Sequence, residues 1–167
     1  GCPAVKVLML SCSTGEGHNS AAKAVSKELA SRGVECDIQD ALRFVPKSKK
    51  RFLEDSHSFL YRHAPELYGS GYEYVKNLSS HYMLYRDYAV HAGRISSYII
   101  RNHYDAAVCV HEFPAFMLTG ARDSFRLPVR QYFVATDYSP APGIEETDMD
   151  GWFVPAGLSD AFAREGI

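Results

Sequence analysis

The sequence lacks several features that would assign it to a common functional class. Its apolar runs fall far short of the roughly 20 residues that a membrane-spanning helix needs. Its formal net charge is −2 over 167 residues, so no general attraction to nucleic acid is expected. These absences are typical of a globular protein. A chain of 167 residues is long enough for one domain with a hydrophobic core.

Cysteine is sparse, and its spacing predicts no zinc site. No two cysteines are arranged as C-x-x-C. Cys36 and Cys109 lie in strand-like apolar runs, where a buried free thiol is expected, and this pattern favours a reducing, cytoplasmic compartment. The segment Gly1-Cys2-Pro3 shows no signal peptide. We expect the chain to be a piece of a longer protein. The four cysteines are Cys2, Cys12, Cys36 and Cys109.

The first forty residues have the pattern of a β-α-β unit. Val5–Leu10 is a nearly continuous apolar run, typical of a strand that is buried on both faces of a parallel sheet. Ala21–Ser31 has the apolar spacing of an amphipathic helix. The alternating segment 34–40 predicts a second strand, parallel to the first. Asn19 or Ser20 is predicted as the N-cap of the helix, and Gly33 as its end.

The strand and helix rhythm returns after residue 105. Short apolar runs predict strands over 106–110, 129–135 and 152–154, and helices are predicted to begin at Pro114 and at Ser159. We therefore predict an α/β fold: a Rossmann-like, doubly wound, mainly parallel sheet of about five strands, in one domain over residues 1–167.

The middle of the chain has a different composition. Basic residues are followed by many aromatic residues up to Lys76, and the helical spacing there is interrupted. This segment is interpreted either as a patch that docks on an anionic membrane surface or as an ordinary solvated helix followed by aromatic residues that face the core. Residues 79–102 predict a long amphipathic helix. The basic residues are Lys47, Lys49, Lys50 and Arg51.

Three predicted strand ends carry polar residues. They are the loop Ser13–Ser20, the pair His111-Glu112 and the segment Thr136–Tyr138. Because the carboxyl ends of parallel strands meet at one edge of the sheet, we expect these three groups to face one crevice. Strand ends are also polar simply because they meet water, and that interpretation stays open for each group.

The loop after the first strand contains glycines and a histidine. It is not a Walker A loop, since no Gly-Lys-Ser/Thr follows. Gly15 and Gly17, together with Asp40, partly match a dinucleotide fingerprint, but Ser20 replaces the third glycine. A nucleotide-binding Rossmann module that uses these three residues is the alternative function. His18 lies beside a helix N-terminus, which disfavours the charged imidazole, so it can serve as a general base or simply pack or cap.

Four ordered segments resemble the monogalactosyldiacylglycerol synthase and processive diacylglycerol glucosyltransferase family. The segment 13–22, Ser-Thr-Gly-Glu-Gly-His-Asn-Ser-Ala-Ala, is similar to the first loop of that family, and 110–115, Val-His-Glu-Phe-Pro-Ala, is similar to its His-x-Phe-Pro-Ala segment. Residues 134–138 and 150–155 match two further signatures, so the resemblance extends over nearly the whole chain.

The resemblance implies the N-terminal, acceptor-binding half of a GT-B glycosyltransferase, with the C-terminal donor-binding domain absent from this chain. It implies inverting, metal-independent transfer from a UDP-sugar to a membrane lipid such as diacylglycerol, without a cofactor, by an enzyme peripherally associated with the membrane. His18 corresponds to the base that activates the acceptor hydroxyl. The fragment alone is expected to be inactive.

The resemblance also assigns roles to the other candidate residues. The donor-phosphate loop would comprise Thr14, Gly15, Gly17, Asn19 and Ser20. The acceptor cleft would comprise His111, Phe113, Pro114, Asp137 and Tyr138. The basic middle segment would face the membrane. Glu16 stands where the family often has glycine, Glu112 where proline is common, and the segment after Asp137 lacks a His-Pro-x-Trp pattern. These departures leave lipids other than diacylglycerol open as acceptors.

Overall fold

The computed structural model of the chain describes residues 4–12, 16–47, 92–136 and 144–164. Five strands in these ranges form one sheet in the order β2-β1-β3-β4-β5, and every neighbouring pair is parallel. The predicted α/β class and the predicted number of strands are therefore confirmed. The strands are β1 Lys6–Ser11, β2 Glu35–Asp40, β3 Ala106–Cys109, β4 Arg130–Val134 and β5 Gly151–Phe153.

Helices cover both faces of this sheet. Two short 3₁₀ helices, Ala41–Phe44 and Ile144–Glu146, lie between the larger elements. The α-helices of the described ranges are α1 Glu16–Ser31, α2 Gly93–Arg101, α3 Glu112–Phe125 and α4 Ser159–Arg164.

Alternation along the strands builds a separate core on each face. Leu8 and Leu10 of β1 belong to a core cluster that contains the buried residues of α2 and α3. Val7 and Met9, the intervening residues, belong to a second cluster, which includes Ala22 of α1. Because successive side chains of a strand point to opposite faces, α1 lies on one face and α2 with α3 on the other. The doubly wound prediction is confirmed.

The C-terminus of α1 is set by a glycine, as predicted. Gly33 has a φ of +80°, its N–H donates to the carbonyl of Ala30 at 3.1 Å, and the N–H of Val34 donates to the carbonyl of Leu29 at 3.0 Å. These two bonds form a Schellman motif, which satisfies the last carbonyls of the helix. Glycine adopts this left-handed conformation without the steric cost that a Cβ would add.

The predicted start of α1 is wrong. The helix begins at Glu16, so Asn19 and Ser20 lie inside it and do not cap it. Gly17 and His18 are likewise helical positions and not part of a loop. An acidic residue in the first turn is favoured by the helix dipole, and one glycine weakens a helix without ending it, so the start moves toward the strand.

The predicted start of the helix after β3 is two residues late. Glu112 is the first residue of α3, and the helix continues for 14 residues to Phe125. Pro114 is the third residue of the first turn, where a missing N–H breaks no helical hydrogen bond. The proline therefore lies just inside the helix and does not open it.

Several expectations concern residues outside the described ranges. These include most of the basic and aromatic middle segment, from residue 48 to residue 91. Ala92, Ile95 and Ile99, which belong to the amphipathic helix predicted over 79–102, are buried, as expected of its apolar face. In the described ranges no helix is both long and apolar enough to cross a bilayer. Among the same residues, Cys12, Cys36 and Cys109 are not joined by disulfides.

Candidate active-site crevice

The predicted crevice corresponds to the carboxyl ends of β1 and β3, which lie side by side near the centre of the sheet. Leu10 of β1 is paired with Cys109 of β3, and the N–H of Val110 donates to the carbonyl of Leu10 at 3.0 Å. After β1 the chain enters α1 on one face, and after β3 it enters α3 on the other. A sheet with this strand order has its topological switch point here, where ligands of open α/β sheets bind.

The N-terminus of α1 forms one side of the crevice. Gly17 and His18 are the second and third residues of the helix, and Asn19 and Ser20 follow directly after them. The first backbone N–H groups of a helix have no intrahelical acceptor, and together with the dipole they favour an anion. Thr14 and Gly15, which precede the helix, lie outside the described residues.

The N-terminus of α3 forms the opposite side, and His111 is its N-cap. The imidazole Nδ1 accepts a hydrogen bond from the N–H of Phe113 at 3.0 Å, and the residue is 3% exposed. Because the accepting nitrogen carries no proton, the neutral ring has its proton on Nε2. That nitrogen lies 3.9 Å from a carboxylate oxygen of Glu112. The geometry makes His111 a neutral imidazole whose Nε2–H can donate.

Phe113 and Pro114, predicted to line the acceptor cleft, are buried in the first turn of α3. Phe113 is fully buried within the larger core cluster. Its place is therefore beneath the crevice, where it supports the start of α3. A proline shortly after a polar residue is a signal of a helix N-terminus, and this signal could have identified His111 as the cap.

The end of β4 contacts the end of β3. The hydroxyl of Thr136, which follows β4, lies 3.5 Å from the carbonyl of Val110. This long contact brings the β4 end beside the β3 end, as the parallel arrangement predicts. Asp137 and Tyr138, the remaining candidates of this group, lie outside the described residues.

Two cysteines near the crevice are unsuited to nucleophilic chemistry. Cys12 directly follows β1 and Cys109 ends β3, and both are fully buried. Burial raises the pKa of the Cys109 thiol far above its ordinary value, so that thiol stays protonated at neutral pH. Within residues 4–12, 16–47, 92–136 and 144–164, no group of three His, Cys, Asp or Glu residues is placed to hold a metal ion.

Asp40, the acidic residue of the partial dinucleotide fingerprint, caps the first 3₁₀ helix. One of its carboxylate oxygens accepts from the N–H of Leu42 at 2.9 Å. That oxygen is engaged by the backbone, which favours a capping role for Asp40.

Comparison with known proteins relates the chain to one family. The family described as Monogalactosyldiacylglycerol (MGDG) synthase matches residues 18–167, which is most of the chain. The match begins at His18 and includes the start of α3 and β5. No curated protein and no solved structure matches the chain.

Proposed function

The chain belongs to the monogalactosyldiacylglycerol (MGDG) synthase family, and we propose that it is the acceptor-binding half of an inverting lipid glycosyltransferase. A sugar would pass from a UDP-sugar to the hydroxyl group of a membrane lipid such as diacylglycerol. The five-stranded parallel sheet is the Rossmann-like half expected of a GT-B enzyme. One observation carries the proposal: α1 and α3 begin on opposite sides of the same crevice, and the first turn of α1 contains His18.

His18 is the proposed general base. Its imidazole would take the proton of the acceptor hydroxyl while the hydroxyl oxygen attacks the anomeric carbon of the sugar. The bond between that carbon and the diphosphate oxygen breaks, UDP leaves, and the configuration inverts. A histidine near the N-terminus of a helix is disfavoured in its charged form, which keeps a nitrogen lone pair available to accept the proton.

The N-terminus of α1 is the proposed partner of the donor diphosphate. The N–H groups of its first turn, with those of Thr14 and Gly15, would stabilise the negative charge that grows on the leaving group. Gly17 has no Cβ and permits close approach of a phosphate. Asn19 and Ser20, inside the helix, would contribute through their side chains. The opposite wall of the donor site would come from a C-terminal domain of the same enzyme.

The acceptor would enter from the side of α3 and the β4 end. The neutral His111, with Asp137 and Tyr138, would hold the polar part of the lipid near His18. No metal or redox cofactor is invoked for this transfer. Lys47, which is exposed, with Lys49, Lys50 and Arg51, would hold the enzyme on the anionic cytoplasmic surface of the membrane, as a peripheral protein.

The test is turnover of the complete enzyme, with its donor-binding half, carrying His18→Ala. General-base catalysis contributes about 10²–10⁴-fold, so we expect a loss of that size in kcat with an unchanged fold. His103→Asn is the matched control: His103 is exposed, and its φ of 56° suits asparagine. Nearly normal turnover of His18→Ala would exclude the proposed base. The 167-residue chain alone is expected to transfer no sugar.

A further inference from the structure

A cavity lies beside α2, and none of the crevice residues described above lines it. Its volume is about 740 Å³, a size typical of sites for small organic ligands. Three arginines and three aromatic residues contribute to its walls. The cavity is lined by Arg43, Phe44, Pro46, Gly93, Arg94, Ser97, Tyr98, Arg101, Asn102 and Phe125.

Four of the lining residues follow one stripe of α2. Arg94, Ser97, Tyr98 and Arg101 are spaced i, i+3, i+4 and i+7, so their side chains leave the same face of the helix. A rise of 1.5 Å per residue separates the two arginine positions by about 10 Å along the axis. The stripe thus has a guanidinium at each end and hydroxyl groups between them.

Arg43 approaches this stripe from the 3₁₀ helix after β2. Its guanidinium carbon lies 4.8 Å from the ring centre of Tyr98 and 5.4 Å from that of Phe44. One of its nitrogens donates to the side-chain oxygen of Gln39 at 2.5 Å. Stacking and this bond hold the planar group in place, while its remaining N–H groups stay available for an acceptor.

Among the described residues, no carboxylate pairs with the three arginines that line this cavity, Arg43, Arg94 and Arg101, which we call the arginine groove. In the described part of the chain, neither Arg94 nor Arg101 has a side-chain ion pair or hydrogen bond, and the hydrogen bond of Arg43 goes to a neutral amide. Other arginines differ: Arg32 is paired with Glu28, and Arg122 with two aspartates. Three guanidiniums in one cavity, with no carboxylate partner in the part of the chain that the structure describes, favour an anionic ligand.

Apolar surface adjoins the charged stripe. Phe125, the last residue of α3, is 52% exposed, and its ring lies against Gly93, where an added Cβ would be 3.2 Å from the ring. Pro46 lines the same cavity. A ligand with both a strong anionic group and a less polar part would contact both kinds of surface.

We propose that the arginine groove is a binding site for a phosphate ester. The planar guanidinium forks match pairs of phosphate oxygens, and the distance between Arg94 and Arg101 suits a phosphate that carries a further polar group. The less polar part would contact Phe125 and Pro46. The phosphate can belong to the headgroup of a membrane lipid or to a soluble ester. The site is independent of the proposed glycosyl transfer.

The test compares two variants that remove the same charge. The groove variant, with Arg94→Gln and Arg101→Gln, removes two guanidiniums from the groove. The control variant, with Arg32→Gln and Arg130→Gln, removes two exposed arginines that do not line it. The probes are glycerol 3-phosphate, measured by calorimetry, and phosphatidylcholine vesicles with and without phosphatidylglycerol, measured by co-sedimentation. Each basic residue near an anionic surface contributes roughly a factor of five, so the groove variant should bind about 30-fold more weakly.

Each outcome supports or overturns the proposal. Binding of glycerol 3-phosphate that only the groove variant loses supports a soluble ester, and selective loss of vesicle binding alone supports a lipid headgroup. Ser97→Asp, at an exposed position in the middle of the stripe, should give the same loss through charge repulsion. Absence of binding by the unmodified chain to both probes, or an equal loss in both arginine variants, overturns the groove as a site. Turnover plays no part in these measurements, so they leave the proposed function of His18 untouched.

Discussion

The imidazole of His111 and the backbone N–H of Phe113 form the cap of α3, with 3.0 Å between Nδ1 and the amide nitrogen. A charged imidazolium has no free lone pair and cannot make this bond, so the cap requires the neutral ring. His111 therefore holds the start of α3, and its Nε2 lies 3.9 Å from the Glu112 carboxylate.

We expect His111→Ala to destabilise the fold and His111→Asn to recover part of the loss. Removal of an N-cap side chain costs about 1 kcal/mol, and the vacated buried space adds to it. The asparagine oxygen can accept from the N–H of Phe113 in place of Nδ1. Urea unfolding should thus give the order wild type, then Asn, then Ala. Equal stability of the two variants would mean that the cap contributes nothing measurable.

Substitutions at the C-terminal ends of α1 and α3 are expected to change the stability of the fold in opposite directions. Gly33 at the end of α1 has a φ of +80°, and no atom lies within 4 Å of the position that a Cβ would occupy. Gly33→Ala should therefore cost about 1 kcal/mol through backbone strain alone. Arg126, the C-cap of α3, adopts the same region with a φ of 51°. Arg126→Gly should leave stability unchanged or raise it by up to about 1 kcal/mol.

Thermal or urea unfolding measures the stability of Gly33→Ala and of Arg126→Gly against that of the wild type. Because Arg126 is exposed, its side chain contributes little packing that the glycine variant would lose. A clear destabilisation by Arg126→Gly would show that the arginine side chain, and not the backbone conformation, decides stability at that helix end.

Asp150 lies near the amino ends of β4 and β5, and its environment is expected to make the stability of the fold depend on pH. Its Oδ2 accepts from the N–H of Gln131 at 2.8 Å and pairs with Arg122 at 2.5 Å. The backbone hydrogen bond from Gln131, followed by the Arg122 guanidinium, holds the pKa of the Asp150 carboxyl below its ordinary value. The resulting stabilisation is complete above the ordinary carboxyl pKa and is lost as the pH falls through the lowered value.

We expect Asp150→Asn to cost about 1–2 kcal/mol at pH 7 and much less at about pH 2. Asp148→Asn is the matched control, since Asp148 also pairs with Arg122, at 3.2 Å, but its side chain is 57% exposed. That variant should change stability by less than about 1 kcal/mol. A difference between wild type and Asp150→Asn that stays constant from neutral to acid pH, measured by urea unfolding, would contradict the assignment.

The strands and the end of α1 could be predicted from the order of the residues. Continuous apolar runs occur wherever a strand is buried on both faces, as in β1 and β3, and such runs are visible without a structure. Gly33 was identifiable because a left-handed residue at a helix end favours glycine strongly. The three polar strand ends were predicted from the parallel arrangement, and β1, β3 and β4, which carry them, are neighbours in the sheet.

The start of α1, the cap of α3 and the arginine groove became apparent in the folded structure and not before. Helix starts depend on small energy differences between neighbouring residues, so Glu16 and Glu112 could not be distinguished from later positions by pattern alone. Phe113 was expected in the cleft and lies in the core, because burial depends on which face the helix packs. Arg43 and the arginines of α2 are about 50 residues apart in sequence and meet only because β2 lies beside β1 and the helix returns over that face.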